Sequence, residues 1–211
     1  SAGEESIASM PNIKVGKFIT QVILQNIEVE DIDLSNATDL RSAWVQNNPA
    51  LQKLDLSYST IWGQGDKETE GNGTYGSSLM VLGCPILKEI KLPEKNELKA
   101  YRIDIECLDA LETFDMSNVK MVAELSIGDL NKDFNLVYPE LTIFYSEDGY
   151  AGTYFACSEN TFYRESTQAF LKANYTDIDP DDTVRRLGYT SSLSYDKNKG
   201  CRWRTLLNKQ K

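Results

Sequence analysis

The 211-residue chain contains no histidine. That one absence removes Ser-His-Asp and Cys-His nucleophile systems, His-ligated zinc, HExxH proteases and imidazole acid-base chemistry together. Basic residues are also in deficit, 22 Lys and Arg against 32 Asp and Glu for a net charge of -10. This argues against nucleic acid or an anionic membrane as the main partner, because binding there rests on clustered Lys and Arg. No run approaches the ~18 to 20 apolar residues that a membrane-spanning helix needs. Cysteine is sparse and irregular, at Cys84, Cys107, Cys157 and Cys201, and no Cys-x-x-Cys pair exists to hold zinc. No cofactor or metal is expected.

What is present is enough apolar residue, 41% of the chain, to fill a core. Those residues repeat. Leu51-x-x-Leu54-x-Leu56, Leu87-x-x-Ile90-x-Leu92 and Leu111-x-x-Phe114-x-Met116 share one spacing; Tyr138-Pro139-Glu140-Leu141-Thr142-Ile143-Phe144-Tyr145 is a weaker copy and Val29-x-x-Ile32-x-Leu34 a fifth. Each copy predicts a short strand that cannot bury its apolar face alone, so the copies must stack. Between them lie second strands at a half step, Leu98 to Ile103 and Val122 to Ile127, which predict sheet on both sides of the coil. Gly63 to Ser78, with five glycines in 16 residues and no Ile, Val or Leu, reads as an inserted surface loop.

Cys84-Pro85-Ile86-Leu87-Lys88-Glu89-Ile90-Lys91-Leu92-Pro93, and Cys107-x-x-x-Leu111-x-x-Phe114-x-Met116 after it, resemble the unit of the BspA-like (Treponema-type) leucine-rich repeats. The resemblance covers about residues 80 to 130 best, extends to 27 to 61, and is absent after about 146. It implies an α/β repeat solenoid, a short irregular leucine-rich-repeat right-handed coil over 27–146, with an N-terminal cap (1–26) and a C-terminal cap or small appended module (147–211). It also implies a bacterial surface or secreted protein that works in adhesion, without enzymatic activity. The small, acidic start Ser1-Ala2-Gly3-Glu4-Glu5-Ser6 fits a chain trimmed of a leader, such as a processed lipoprotein. The expectation is an exported monomer whose partner is an extracellular protein, with a carbohydrate-binding or glycan-processing role as the alternative.

Local patterns complete the expectations. Leu40, Ala43 and Trp44 fall on one helical face, so Asp39 to Gln46 reads as a helix behind the strands; Ser166 to Tyr175 and Pro180 to Leu187 read as helices of the C-terminal module. Asp33, Asp55, Lys91 and Asp115 sit between the last two apolar positions of their repeats, where side chains point outward. One coil apart, they predict an acidic ladder interrupted by one lysine, the candidate partner-binding face. Trp62 and Tyr75 bracket the glycine-rich insertion and are candidate contact aromatics. Cys84 and Cys107 read as buried thiols of the repeat, while Cys157 and Cys201 are either bridged or not. Gly71-x-Gly73-x-x-Gly76 lacks the strand and helix that a dinucleotide site needs, and Asp177-x-Asp179-x-Asp181 lacks the EF-hand glycine and glutamate. Lys197 to Lys211 carries six basic residues and no acid and reads as a segment packed on the acidic body.

Overall fold

A computed structural model describes residues 8–64, 76–130, 134–143, 146–147, 150–151, 153–174 and 204–206. In chain order its strands are β1 (Ala8–Lys14), β2 (Gln21–Gln25), β3 (Ile27–Asp33), β4 (Ser42–Gln46), β5 (Lys53–Asp55), β6 (Ser78–Leu82), β7 (Glu89–Lys91) and β8 (Leu98–Leu108). They continue with β9 (Thr113–Asp115), β10 (Val119–Leu130), β11 (Asn135–Val137), β12 (Ser146–Glu147), β13 (Tyr150–Ala151), β14 (Tyr154–Cys157) and, after two helices α1 (Glu159–Phe162) and α2 (Glu165–Asn174), β15 (Arg204–Leu206). From β1 to β11, even-numbered strands belong to the large sheet and odd-numbered ones lie opposite it. A large sheet runs β15-β14-β10-β8-β6-β4-β2, a small one β11-β9-β7-β5, with β1-β3 as a separate pair and β12-β13 as a short antiparallel one. Apart from β14-β15 and β12-β13 the pairings are parallel. The chain is a β-solenoid of about five turns.

The two sheets enclose one core because period-2 alternation turns every second residue inward. In the large sheet the register stacks Val22, Ala43, Leu79, Ile103, Leu125 and Phe155 as one inward row, and Val45, Val81, Ile105, Ile127 and Cys157 as another. All of these are buried. The three-residue strands of the small sheet each turn only the middle residue inward, Leu54, Ile90, Phe114 and Leu136.

Four successive coils turn the same corner at the end of their large-sheet strands β2, β4, β6 and β8. Asn26, Asn47, Gly83 and Cys107 all have φ between 53° and 63°, the left-handed region that Gly adopts freely and Asn better than most. The Asn47 side chain donates to Asn26 Oδ1 at 2.7 Å, tying two of these corners together. Asn48, fully buried one residue on, accepts three backbone N–H groups on Oδ1, from Val29 (3.2 Å), Ala50 (3.1 Å) and Leu51 (3.1 Å). It thereby joins β3 to the corner leading into β5, where the ladder between the two small-sheet pieces is interrupted.

Several expectations are corrected. The repeat helix expected over Asp39 to Gln46 is not formed: the segment contains β4, because Ala43 and Val45 alternate with Trp44 and bury on period 2. The architecture is therefore mostly parallel β rather than α/β. The weak fourth repeat over Tyr138 to Tyr145 is displaced too; the strand is Asn135–Val137, with Leu136 inward. Cys84 and Cys107, which head the two units matched to the family repeat and so read as the same position, are not equivalent: Leu82 pairs with Glu106, and continuing that register sets Cys107 opposite Gly83 and Leu108 opposite Cys84. The described part of the segment read as an N-terminal cap makes a coil of its own, β1 on β3 and β2 on β4.

At the C-terminal end, β14 extends the large sheet and β15 covers its edge in antiparallel fashion. The helix expected over Ser166 to Tyr175 is α2, which buries Thr167, Phe170 and Leu171. Phe170 stacks on Tyr138 at 4.6 Å and meets Phe155 edge-on at 5.3 Å. The helix expected over Pro180 to Leu187 lies outside the described residues.

Candidate functional site

The four residues of the expected ladder occupy equivalent places, each the last residue of its strand: Asp33 in β3, Asp55 in β5, Lys91 in β7 and Asp115 in β9. Asp55 and Lys91 are register partners, whereas Asp33 belongs to the separate β1-β3 pair and is opposite Lys14. None of the three aspartates is a naked carboxylate. The backbone N–H of Ser35 donates to Asp33 (2.9 Å), that of Ser57 to Asp55 (3.0 Å) and that of Ser117 to Asp115 (2.8 Å). These are Asx turns, in which the side chain bends the chain out of the strand. The motif Asp-apolar-Ser recurs at all three corners, and Lys91-Leu92-Pro93 replaces it at the fourth.

The face is also paired internally. Lys14 reaches Asp33 at 3.8 Å, Lys53 bridges Asp55 (3.4 Å) and Glu89 (3.3 Å), and Lys91 reaches Glu89 at 3.3 Å. The hydrogen bonds from Ser35 hold the Asp33 carboxyl below its ordinary range, with Lys14 adding to them. Burial pushes Asp55 up, but the Ser57 hydroxyl and amide and the Lys53 ammonium together outweigh it and leave it lowered. Glu89, and after it Asp55, raise Lys53. The face is thus a mesh of alternating charge rather than the acidic ladder expected.

The aromatics do not act as a pair. Trp62 is fully buried, its Nε1 donating to Ser78 O at 3.3 Å, so it packs the end of its coil instead of facing a partner. Tyr75 lies outside the described residues. The two ends of the insertion meet: Gly63 N donates to Ser77 Oγ at 2.6 Å, and Gln64 bridges to Lys99. Gly63 has φ 80°, and a Cβ there would lie 2.5 Å from Leu98 Cδ2 and 3.3 Å from its Cα. Gly63→Ala is therefore expected to cost about 1 to 2 kcal/mol, read as a lowered midpoint in urea denaturation at unchanged slope.

Cys157 is buried; Cys201, its possible partner in a bridge, lies outside the described residues. Cys107, read as a buried thiol, is disulfide-bonded instead. Cys84 is the buried thiol expected, and burial pushes it up to about 12, so it is inert as a nucleophile. The Asp177 to Asp182 run and most of the basic tail also lie outside the described residues.

Sequence reasoning missed a cluster on the outer face of the large sheet. In β8 the alternation Arg102-Ile103-Asp104-Ile105-Glu106 turns the isoleucines inward and the charged residues outward, yet Asp104 is 6% and Glu106 2% exposed. Arg102 Nη2 holds Asp104 Oδ2 at 3.0 Å and its Nε faces Glu124 Oε2 at 3.6 Å, while Asp104 Oδ1 has no hydrogen-bond partner. Burial raises the Asp104 carboxyl to about 6, against the opposing pull of Arg102 and with a further push from Glu124. The signal was in the sequence as charged residues alternating with isoleucine inside an apolar strand.

A further concavity, an open groove of about 660 Å³, is lined by Gly16, Lys17, Ser35, Asn36, Thr38, Asp39 and Thr60. Its polar groups are hydroxyls, one amide, one ammonium and one carboxylate. It therefore lacks the two facing carboxylates that glycoside hydrolysis needs. Among the described residues no three Cys, Asp or Glu cluster as a metal site, and no helix is long and apolar enough to cross a membrane. Compared with known proteins, the chain matches no family model, no curated protein and no solved structure.

Proposed function

We propose that the chain is a non-enzymatic binding protein, exported to the cell surface or secreted, that recognises an extracellular protein through the polar face of its small sheet. Its coils are, in this reading, irregular members of the BspA-like leucine-rich repeats. The observation that carries the proposal is the pair of polar rows on that face. Lys53 and Glu89 form one, and Asp55 and Lys91 the other, on strands locked in register. A rigid frame repeating at ~4.8 Å presents charge at fixed spacing, which serves specificity and orientation in a partner. Disulfide-bonded Cys107 supports an oxidising compartment.

The test is a binding screen of the whole chain against extracellular proteins, with the Asp33→Asn, Asp55→Asn, Asp115→Asn triple variant beside it. Asn accepts the same backbone N–H in an Asx turn, so the fold is kept while the charge is removed. An affinity lowered about tenfold or more, with unchanged circular dichroism and only a small drop in melting temperature from the lost ion pairs of Asp33 and Asp55, is the expected result. Unchanged affinity would sink this face as the site.

A second reading, saccharide recognition, is favoured by the groove beside Lys17 and Asp39. Phe18 is 82% exposed next to Lys17, and Tyr58, 49% exposed, lies between Ser57 and Ser59 on the neighbouring corner. A glycan-array signal that survives the triple variant and is lost with Phe18→Ala moves the site there.

A further inference from the structure

The two ends of the solenoid are finished differently. At the C-terminal end β15 pairs along β14, and Tyr138, Phe155 and Phe170 close over the last coil. At the N-terminal end, among the described residues, β2 is the last strand of the large sheet and β1 the outer strand of its pair. Of seven large apolar side chains exposed among the described residues, three lie in β2 or just before it, Phe18 (82%), Ile19 (44%) and Ile23 (48%), while Met10 (46%) lies apart on β1.

Open strand edges invite pairing, and sheets guard them with proline, charge or bulges. β1 has such guards, Pro11 in its middle and Lys14 at its end. β2 has none. Its sequence Gln21-Val22-Ile23-Leu24-Gln25 carries no charge and no proline, and Ile23 heads an outward row that continues through Trp44 and Met80.

The sequence of β2 also fits itself. Reversed, it reads glutamine, aliphatic, isoleucine, aliphatic, glutamine. An antiparallel pair about Ile23 sets Gln21 opposite Gln25, Val22 opposite Leu24 and Ile23 opposite Ile23, so like residues meet and inward faces stay inward. The direction follows from the faces. A parallel pair of this same edge needs a two-fold along the strand, which turns the inward face of one copy outward in the other; only the antiparallel pair keeps Val22 and Leu24 of both copies on the core side.

We infer that the N-terminal end of the solenoid is a homodimer interface, in which β2 pairs antiparallel with β2 of a second copy about a two-fold axis at Ile23. The interface is isologous, so it closes at two copies instead of growing into a fibre. It joins the two large sheets into one and continues the Ile23–Trp44–Met80 row across the seam. A five-residue pair with its flanking apolar side chains is small beside the ~1,200 to 2,000 Å² of a tight complex, so the dimer is weak and concentration-dependent.

Sedimentation equilibrium of the whole chain tests this, independently of what the small-sheet face binds. At about 100 µM the expected mass is twice the 23.8 kDa of one chain, falling toward one on dilution; a single-chain mass at that concentration overturns the inference. Ile23→Lys sets two ammonium groups on the axis and is expected to give monomer with unchanged circular dichroism, and mixing it with Ile23→Glu to restore the dimer. Met10→Lys, on the guarded edge, is expected to leave the dimer intact. A dimer that survives Ile23→Lys, or one broken by Met10→Lys instead, places the seam elsewhere and overturns the assignment to β2.

Discussion

Asn48→Ala is expected to destabilise the protein by about 3 kcal/mol, a drop of roughly 6 to 12 °C in melting temperature for a chain of this size. The amide oxygen accepts three backbone N–H groups in a site with no exposed surface, and alanine leaves all three without an acceptor. One term runs the other way, because the buried Asn48 Nδ2 has no partner and its removal relieves a cost. Three orphaned donors outweigh one. Differential scanning calorimetry of the variant checks the magnitude, and Asn48→Asp separates the causes, since a carboxylate keeps the three acceptances but buries a charge. A loss below about 1 kcal/mol for Asn48→Ala would mean that water takes over the corner and that the amide is not what joins β3 to β5.

The second large effect is on pH dependence. Asp104 is held at about 6 by burial, above its ordinary 3.8, so between those values the folded chain binds more protons than the unfolded one. Stability therefore falls as pH rises from about 4 to about 6, and by pH 7 the group costs the fold about 2 to 3 kcal/mol relative to its protonated state. The sign is opposite to that of Asp33 and Asp55, whose lowered carboxyls favour folding above the ordinary carboxylate range. Asp104→Asn removes the charge and is expected to flatten the stability profile between pH 4 and 6 while raising stability at pH 7. Urea midpoints at pH 4, 5, 6 and 7 for both proteins read it directly. An unchanged slope in the variant would assign the dependence to another group.

How much of this was legible in the sequence differs by feature. The Leu-x-x-Leu-x-Leu copies at Leu51, Leu87 and Leu111 mark β5, β7 and β9, and the half-step runs fall inside β8 and β10, because a short strand with one buried centre has a fixed apolar spacing. β4 was misread because Leu40, Ala43 and Trp44 satisfy helical spacing by accident, while the true signal, Ala43 and Val45 inward, is only two residues long. Tyr138 to Tyr145 misled in a similar way: proline and aromatic residues there imitate a repeat, and Tyr138 is used instead to stack on Phe170.

The candidate face was half legible. The positions of Asp33, Asp55 and Asp115 at strand ends followed from the repeat, but their work did not. Asp-apolar-Ser appears three times, and a residue two places after an aspartate is where an Asx turn finds its N–H. Reading charge before local hydrogen bonding gave an acidic ladder in place of three corners. Asn48 was hidden for another reason: the next coil has Cys84 in its place, and matching the cysteines of two coils displaced the register by one.

The join at the base of the insertion has a consequence for how such a chain changes over time. Gly63 and Ser77 touch, and Trp62 is anchored on Ser78, so the coil below neither stretches nor shifts with the number of residues between them. Closing a longer loop costs only about 0.6 kcal/mol per doubling of its length. Novelty is therefore cheap at this one point on the circumference and expensive at the left-handed corners. A lineage carrying this scaffold can vary what it offers to its surroundings there, by gaining or losing residues, while every strand keeps its neighbour.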